Sequence, residues 1–179
     1  SSAGSDGYKS KTSGNNHITS GYGVDTITVT SGDNTIVAGD GANTITATSG
    51  ENTITTGDGV DTITAGDGGN FIIAGAGANT ITTGAGNDTV YTGVDVDTIT
   101  TGAGDDLIHI TGGTDTVTAG AGSDTLNAVF SAATDAVTTA LAGTLDAGYT
   151  GNISGVGVAT FAGVENFDIT SGSFNDVIR

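Results

Sequence analysis

The sequence predicts an all-β fold, namely a parallel β-solenoid with 18-residue coils, two nonapeptide repeats per coil and a C-terminal capping region. Three observations lead to this prediction. A nine-residue period runs through most of the chain, glycine supplies 32 of the 179 residues, and aromatic residues make up only 5%. So few aromatic residues cannot fill the core of an ordinary globular domain, whereas stacked repeats need only a thin core.

The period is anchored on an acid or amide side chain. From Asn16 to Asp124 every ninth residue is Asp or Asn, and the residue two places after each of them is aliphatic, from Ile18 to Leu126. Glycine stands two places before the acid or amide in twelve of the thirteen repeats, Asp95 being the exception. The repeat is therefore x-G-x-G-x-(D/N)-x-U-x, in which U is aliphatic and the positions are numbered one to nine.

Each repeat predicts one turn and one strand. Glycine permits the backbone angles of a tight turn, and the x-U-x triplet is a short strand whose middle side chain points inward. One strand cannot bury its apolar side alone, so two repeats form a coil with a strand on each side, and the coils stack through parallel backbone hydrogen bonds. Six to seven coils at roughly 4.8 Å per strand would give a rod about 30 Å long.

The repeat over about residues 11–128 resembles the RTX nonapeptide β-roll family, whose consensus is G-G-x-G-x-D-x-U-x. The resemblance implies a secreted, extracellular or cell-surface location. It also implies calcium as a structural cofactor, bound in the turns by Asp carboxylates and by turn carbonyls of adjacent coils. One departure is that the first glycine is replaced throughout, by residues such as Ser20, Val29, Ala38 and Thr56.

The stacking of the repeats indicates where calcium would bind. Residues 18 apart share one edge of the roll, and Asp follows Asp along an edge only in the C-terminal half of the repeats. Calcium is therefore expected in that half, since it prefers several oxygen ligands of which some are charged. The expected ligands are Asp88, Asp97, Asp106, Asp115 and Asp124. Asn positions such as Asn34 and Asn52 are expected to bond side chain to side chain without metal.

One face of the predicted roll consists of threonine. The two outward positions of every second repeat are Thr in all twelve cases. They are Thr26, Thr28, Thr44, Thr46, Thr62, Thr64, Thr80, Thr82, Thr98, Thr100, Thr116 and Thr118, and together they are called the threonine face. The opposite face has Thr at six of fourteen outward positions. The preference of Thr for exposed strands would enrich both faces alike, so this asymmetry indicates a function for one of them.

This T-x-T array on a flat parallel sheet resembles the ice-binding faces of solenoid antifreeze proteins. The resemblance implies adsorption to an ice crystal surface, and the stiff rotamers of β-branched side chains would keep the array regular. Some RTX-type ice binders carry their ice-binding residues in the turn, as x-G-T-G-N-D. The turns here are mixed at Tyr22, Asp40 and Ala76, so the strands must carry the function. The alternative is a calcium-dependent structural module of a secreted RTX adhesin, toxin or surface-layer protein.

Charge and composition exclude other classes of function. The basic residues are Lys9, Lys11 and Arg179, against 20 acidic residues and a net charge of −17. Such a chain repels phosphate backbones and anionic lipid, so nucleic acid and membranes are not expected partners. We expect no enzyme, because His17 and His109 lie on strand surfaces without a nucleophile nearby. The chain starts without Met, and we expect it to be part of a larger secreted protein.

The period stops after Asn127. The expected division is an N-terminal lead-in or cap over 1–12, repeats over 13–128 and a C-terminal capping segment over 129–179. We expect this segment to pack on the non-threonine face, where Phe71 and Ile73 offer an apolar surface. Its local structure is left open between the strand-rich form that follows other RTX blocks and a short helix over 131–142.

Overall fold

The computed structural model describes the backbone of residues 7–11, 13–130, 138–144, 148–155 and 157–170, and the side chains of 13–130 and 159–170. Within this part of the chain every regular element is a β-strand. It has no helix of the length and hydropathy needed to cross a membrane. The prediction of an all-β parallel solenoid is confirmed.

Two parallel sheets form the two sides of the roll. The sheet that bears the threonine face contains β1 (Gly7–Lys11), β3 (Asp25–Val29), β5 (Thr44–Ser49), β7 (Thr62–Asp67), β9 (Thr80–Thr82), β11 (Thr98–Thr100) and β13 (Thr114–Thr118). The opposite sheet contains β2 (His17–Thr19), β4 (Thr35–Gly39), β6 (Thr53–Thr56), β8 (Phe71–Ile73), β10 (Thr89–Tyr91), β12 (Leu107–Thr111) and β14 (Thr125–Val129). Consecutive strands therefore lie in different sheets.

The register of the sheets follows the repeat. Ile27 pairs with Ile45 and Ile45 with Ile63, so each strand lies beside the strand 18 residues further along. The same step relates the strands of the opposite sheet, for example Ile36 and Ile54. A slip by one residue would turn the isoleucines outward and the threonines inward, and burial of the isoleucines fixes the register against it.

The core is one layer of side chains from each sheet. In β3 the side chains of Asp25, Ile27 and Val29 are buried, whereas Thr26 and Thr28 remain accessible. Positions six and eight of each repeat and position one of the next therefore point inward. At Gly41 the turn leaves no room for a side chain: the φ of this residue is +125°, and a Cβ atom there would collide with the carbonyl of Gly23 in the preceding coil.

The C-terminal segment extends both sheets at one end of the roll. An antiparallel meander of β15 (Thr138–Thr144), β16 (Gly148–Gly155) and β17 (Gly157–Val164) joins the threonine sheet, because β17 pairs in parallel with β13. β18 (Asn166–Thr170) pairs with β14 in the opposite sheet. Buried Phe161 and Val164 continue the core.

In the described part of this segment, β17 and β18 pair with backbone N–H and C=O groups that the last coil would otherwise leave unpaired. The expected packing of the segment on the non-threonine face, where Phe71 is 39% exposed and Ile73 38% exposed, stays a prediction, because 131–137, 145–147, 156 and 171–179 lie outside the described residues. Phe161 and Phe167 then pack on each other, with ring centroids 4.9 Å apart. Of the range considered for a helix, 138–142 lie in β15 and 131–137 lie outside the described residues.

At the N-terminal end, β1 adds one strand to the threonine sheet. Tyr8 pairs with Thr26 and Ser10 with Thr28, in parallel. Residues 1–6 and 12 of the expected lead-in lie outside the described residues.

Candidate functional site: a threonine face and buried carboxylates

The threonine face forms two columns in register. One column runs from Thr26 to Thr116 and the other from Thr28 to Thr118, each through successive paired strands. None of the twelve side chains is buried: eight are exposed, and four are half-buried. The half-buried ones are Thr26, Thr28, Thr46 and Thr100. The structure thus brings all twelve predicted residues together on one accessible surface.

Thr160 extends this surface by one residue that the sequence analysis missed. β17 places Thr160 opposite Thr116, and the Oγ1 atoms of the two residues are 3.3 Å apart in a hydrogen bond. In the other column Ala162 stands opposite Thr118. The nonapeptide period carries no signal for Thr160, because it lies 44 residues after Thr116 and not 18.

An uncharged column also borders the threonine face. It is formed by position five of the same repeats, two residues before the first threonine. These side chains are exposed and are Val24, Ala42, Val60, Ala78 and Val96. On the opposite edge, position five holds mostly polar or charged residues, among them Asn15, Asp33, Glu51, Asn87 and Asp105. Stepping by 18 along position five would have revealed this difference in the sequence.

The second candidate site lies inside the roll, where the residues at position six form ladders. From Asn34 on one edge and Asn43 on the other, each of these side chains uses Oδ1 to accept the backbone N–H of the residue 18 places earlier. The backbone N–H of Asn43 donates to Asp61 Oδ1 at 2.8 Å, and the backbone N–H of Asp61 donates to Asn79 Oδ1 at 2.9 Å. The second ladder runs from Asn16 to Asp124 in the same way. These hydrogen bonds link each coil to the next on the inner side of the turns.

Glu165 closes the second ladder and was also missed. The backbone N–H of Asp124 donates to Glu165 Oε2 at 2.8 Å, so this carboxylate takes the place that the next repeat would fill. Glu165 lies beyond the periodic part of the sequence, and its distance along the chain gives no indication of this contact.

In the turns with Asn at position six, called the Asn corners, the side-chain amide has hydrogen-bond partners within the chain. Asn34 Nδ2 donates to Asn52 Oδ1 at 2.8 Å and to the carbonyl of Gly32 at 2.6 Å. Asn43 Nδ2 donates to the carbonyls of Gly39 and Gly41 in its own turn. The predicted Asn ladder, bonded side chain to side chain, is confirmed on the edge from Asn16 to Asn70.

In the turns with Asp at position six, called the Asp corners, one carboxylate oxygen has no such partner. Their side chains are as buried as those of Asn, but Oδ2 is inaccessible and has no hydrogen-bond partner. This holds for Asp25, Asp61, Asp88, Asp97, Asp106, Asp115 and Asp124. Oδ2 occupies the branch of the side chain from which Asn Nδ2 donates to turn carbonyls. A carboxylate there has acceptors for neighbours, so a cation or a proton is required to offset its burial.

Burial makes the ionised form of five of these carboxyl groups unfavourable. It raises the pKa of Asp115 to about 7 against the opposing hydrogen bond from the backbone of Asp97, and the charge of Asp97 raises it further. Burial likewise raises the pKa of Asp124 to about 6, with added repulsion from Asp106 and Glu165. The pKa values of Asp61, Asp97 and Asp106 are raised for the same first reason.

The Asp corners fit calcium only together with the backbone. In the part of the chain that the structure describes, no group of three His, Asp or Glu side chains converges on one point. Each predicted ligand from Asp88 to Asp124 instead contributes one unpaired carboxylate oxygen near a turn. Turn carbonyls and carboxylates together form the set of hard oxygen ligands that calcium prefers. The orphaned Oδ2 atoms of Asp25 and Asp61 extend this pattern to corners that the sequence analysis left out.

The fold and these corners define a class of protein, the cation-binding parallel β-roll with two short strands per coil. The chain belongs to the RTX calcium-binding nonapeptide repeat family, whose four-copy pattern matches residues 12–36, 28–63, 37–72, 64–99 and 91–126. Together these matches cover more than half of the chain. No curated protein and no solved structure matches it. The repeat is a structural calcium-binding unit and not a catalytic fold, and proteins that carry it are typically secreted or surface-associated.

Proposed function

We propose that this protein is a calcium-stabilised structural module of a larger secreted or cell-surface protein. The observation that carries the proposal is the row of buried Asp Oδ2 atoms without a partner. Calcium supplies a positive charge to such oxygens when it is bound. The residues of the chain supply the carboxylates, the adjacent turn carbonyls and the ladder hydrogen bonds that hold each carboxylate in place.

A ligand that binds the folded roll and not the unfolded chain stabilises the fold by mass action. At a free calcium concentration of 100 times Kd this amounts to about 2.7 kcal/mol for each site. For a chain of this size, each kcal/mol raises Tm by roughly 2–4 °C. Several sites would therefore make stability strongly dependent on calcium.

Thermal unfolding with calcium and with a chelator tests this proposal. We expect Tm to rise by more than about 5 °C in calcium, from the site energies above. Magnesium at the same ionic strength is the control, and we expect it to be much less effective because it dehydrates reluctantly and demands octahedral geometry. Equal Tm values in calcium, magnesium and chelator would contradict the proposal.

We propose a second function, adsorption to ice, for the threonine face. Its support is the regularity of the surface: twelve threonines stand in two columns, none is buried, and the bordering column carries no charge. Side chains of one strand are about 6.6 Å apart and those of neighbouring strands about 4.8 Å apart. Methyl and hydroxyl groups at these spacings can order water without holding it as tightly as a charge would.

The measurement for ice adsorption is thermal hysteresis, together with the shape of growing ice crystals. Thr62→Lys or Thr80→Tyr at the centre of the face should abolish hysteresis, because a long side chain breaks the flat surface. Thr53→Lys is the matched control, since Thr53 is an exposed threonine on a strand of the opposite sheet. Full activity in the central variants would contradict the proposal, and absence of hysteresis in the parent would leave the structural module alone.

A further inference from the structure

The residue type at position one of a repeat correlates with the residue type at position six of the same repeat. Where position six is Asn, position one is never Ser or Thr. Where position six is Asp, position one is Ser or Thr in five of seven repeats. The five pairs are Ser20 with Asp25, Thr56 with Asp61, Thr83 with Asp88, Thr92 with Asp97, and Thr101 with Asp106. In the two exceptions, position one is Ile110 in the repeat of Asp115 and Ala119 in the repeat of Asp124.

The two positions meet inside the roll. They flank one four-residue turn, and both side chains point inward: Thr56 is 4% exposed and Asp61 is fully buried. Burial raises the pKa of Asp61, while the backbone N–H of Asn43 and then the nearby hydroxyl of Thr56 lower it. The hydroxyl of Thr92 has the same effect on the pKa of Asp97, again after burial and a backbone hydrogen bond.

At three of these corners both oxygens lack a partner. The Oγ1 atoms of Thr56, Thr83 and Thr92 are buried without a hydrogen bond, and so are the Oδ2 atoms of Asp61, Asp88 and Asp97. The hydroxyls of Thr56 and Thr92 nevertheless lie near enough to Asp61 and Asp97 to lower the pKa of those carboxyls by hydrogen bonding, although the contacts are too long or too poorly aligned to satisfy either buried oxygen. At Ser20 and Thr101 the hydroxyl instead donates to a carbonyl of the next coil, at 2.8 Å and 2.7 Å.

Space filling does not explain the hydroxyl. At the Asn corners Ala38, Ala47, Ala65 and Ala74 fill the same inward position and are buried. A buried hydroxyl without a hydrogen bond destabilises the fold relative to an apolar side chain. A residue that is unfavourable by itself and accompanies Asp must act together with the carboxylate.

We propose that the hydroxyl groups of Thr56, Thr83 and Thr92 are calcium ligands, each beside the carboxylate oxygen of the Asp five residues later. The inference rests on the proposed calcium function and adds a side-chain ligand at position one, where the family consensus has glycine. Hydroxyl and carboxylate oxygens are both hard ligands suited to this ion. It also brings calcium to Asp61, whose neighbours along the ladder are Asn43 and Asn79, outside the half predicted from stacked Asp pairs.

The test removes one hydroxyl at constant shape. Thr56→Val replaces the hydroxyl by a methyl group, and equilibrium dialysis then counts the calcium ions bound per chain at a fixed free concentration. We expect one ion fewer than in the parent, a smaller rise of Tm in calcium, and no loss of Tm in chelator. Thr53→Val, an exposed position of the same strand, is the matched control and should bind the parent number. Thr56→Ser keeps the hydroxyl and should also bind the parent number.

The possible failures are distinguishable. If the parent binds no calcium, the proposed function falls and this inference with it. If the parent binds calcium and Thr56→Val binds the same number with the same affinity, only the role of the hydroxyl is overturned. A loss of Tm that is equal in calcium and in chelator, with no loss of bound calcium, would show that the hydroxyl stabilises the fold through hydrogen bonding and not as a ligand, and would also overturn the inference. If Thr56→Val does not fold, the same comparison is made with Thr92→Val.

Discussion

One atom distinguishes the two kinds of corner. Asn34 and Asp106 both accept a backbone N–H through Oδ1, but the second atom is a donor in Asn34 and an acceptor in Asp106. The amide therefore completes its turn without help, and the carboxylate requires a positive partner. An uncompensated buried charge is far more costly than an unpaired neutral group. The balance of Asn and Asp at position six thus sets how strongly each coil depends on a bound cation.

The raised pKa values predict how stability depends on pH without calcium. In chelator, Asp115 and Asp124 bind a proton in the folded chain at pKa values of about 7 and about 6, against an ordinary value of 3.8. At pH values between 3.8 and these raised pKa values the folded chain binds more protons than the unfolded chain, so stability falls as pH rises. We expect Tm in chelator to increase as pH falls from about 8 to about 5, measured by circular dichroism.

Asp115→Asn provides the comparison for this effect. The amide carries no charge at any pH in this range, so the variant should lose part of the pH dependence. Saturating calcium should also flatten the profile, because the ion stabilises the ionised carboxylates. A Tm in chelator that rises with pH over the same range would show that the buried carboxyl groups are not the controlling groups.

At the level of strands, the periodic part of the chain could be predicted from sequence. The T-U-T triplets specify which side chains point inward, and the step of 18 residues specifies which strands pair, as Ile27, Ile45 and Ile63 show. Both follow from burial of one residue in every two. The threonine face could be assembled from the same rule. Its border of Val24, Val60 and Val96 was equally readable.

The remaining elements could not be predicted. After Asn127 no period links Thr160 to Thr116 or Glu165 to Asp124, and both contacts arise from how β17 and β18 extend the sheets. This pairing satisfies backbone groups at the sheet ends, which the pattern of apolar residues in the segment does not reveal. The burial of Asp25 and Asp61 with an unpaired oxygen was not predicted, because neither residue has another Asp beside it along the stack.

Across the described part of the molecule, exposed carboxylates lie in the turns of both edges, among them Asp40 and Asp58 on one edge and Asp33 and Glu51 on the other. The threonine face itself and the position-five column beside it are uncharged. The net charge of −17 favours the uptake of cations and, through mutual repulsion, weakens the compact state. Calcium at the Asp corners would reduce this repulsion from within and leave the neutral face free to bind another surface.

Because each coil contacts only its neighbours, stability is close to a sum over coils. The turns that contain Asn34, Asn43, Asn52 and Asn70 have their side-chain hydrogen bonds satisfied within the chain. The turns that contain Asp25, Asp61 and every position-six residue from Asp88 onward, Asp97 and Asp115 included, have an orphaned carboxylate oxygen. The roll therefore combines corners that amides satisfy with corners that require a cation, and the second kind predominates toward the C-terminal end.

The most direct test is a crystal structure of the protein grown in calcium, with anomalous difference density used to locate the ions. We predict peaks beside Oδ2 of the buried aspartates, including Asp61 and Asp97, and none beside the Asn corners such as Asn34. Peaks found only at exposed carboxylates such as Asp40 or Asp58, with the buried Oδ2 atoms bound to water or to nothing, would contradict the account.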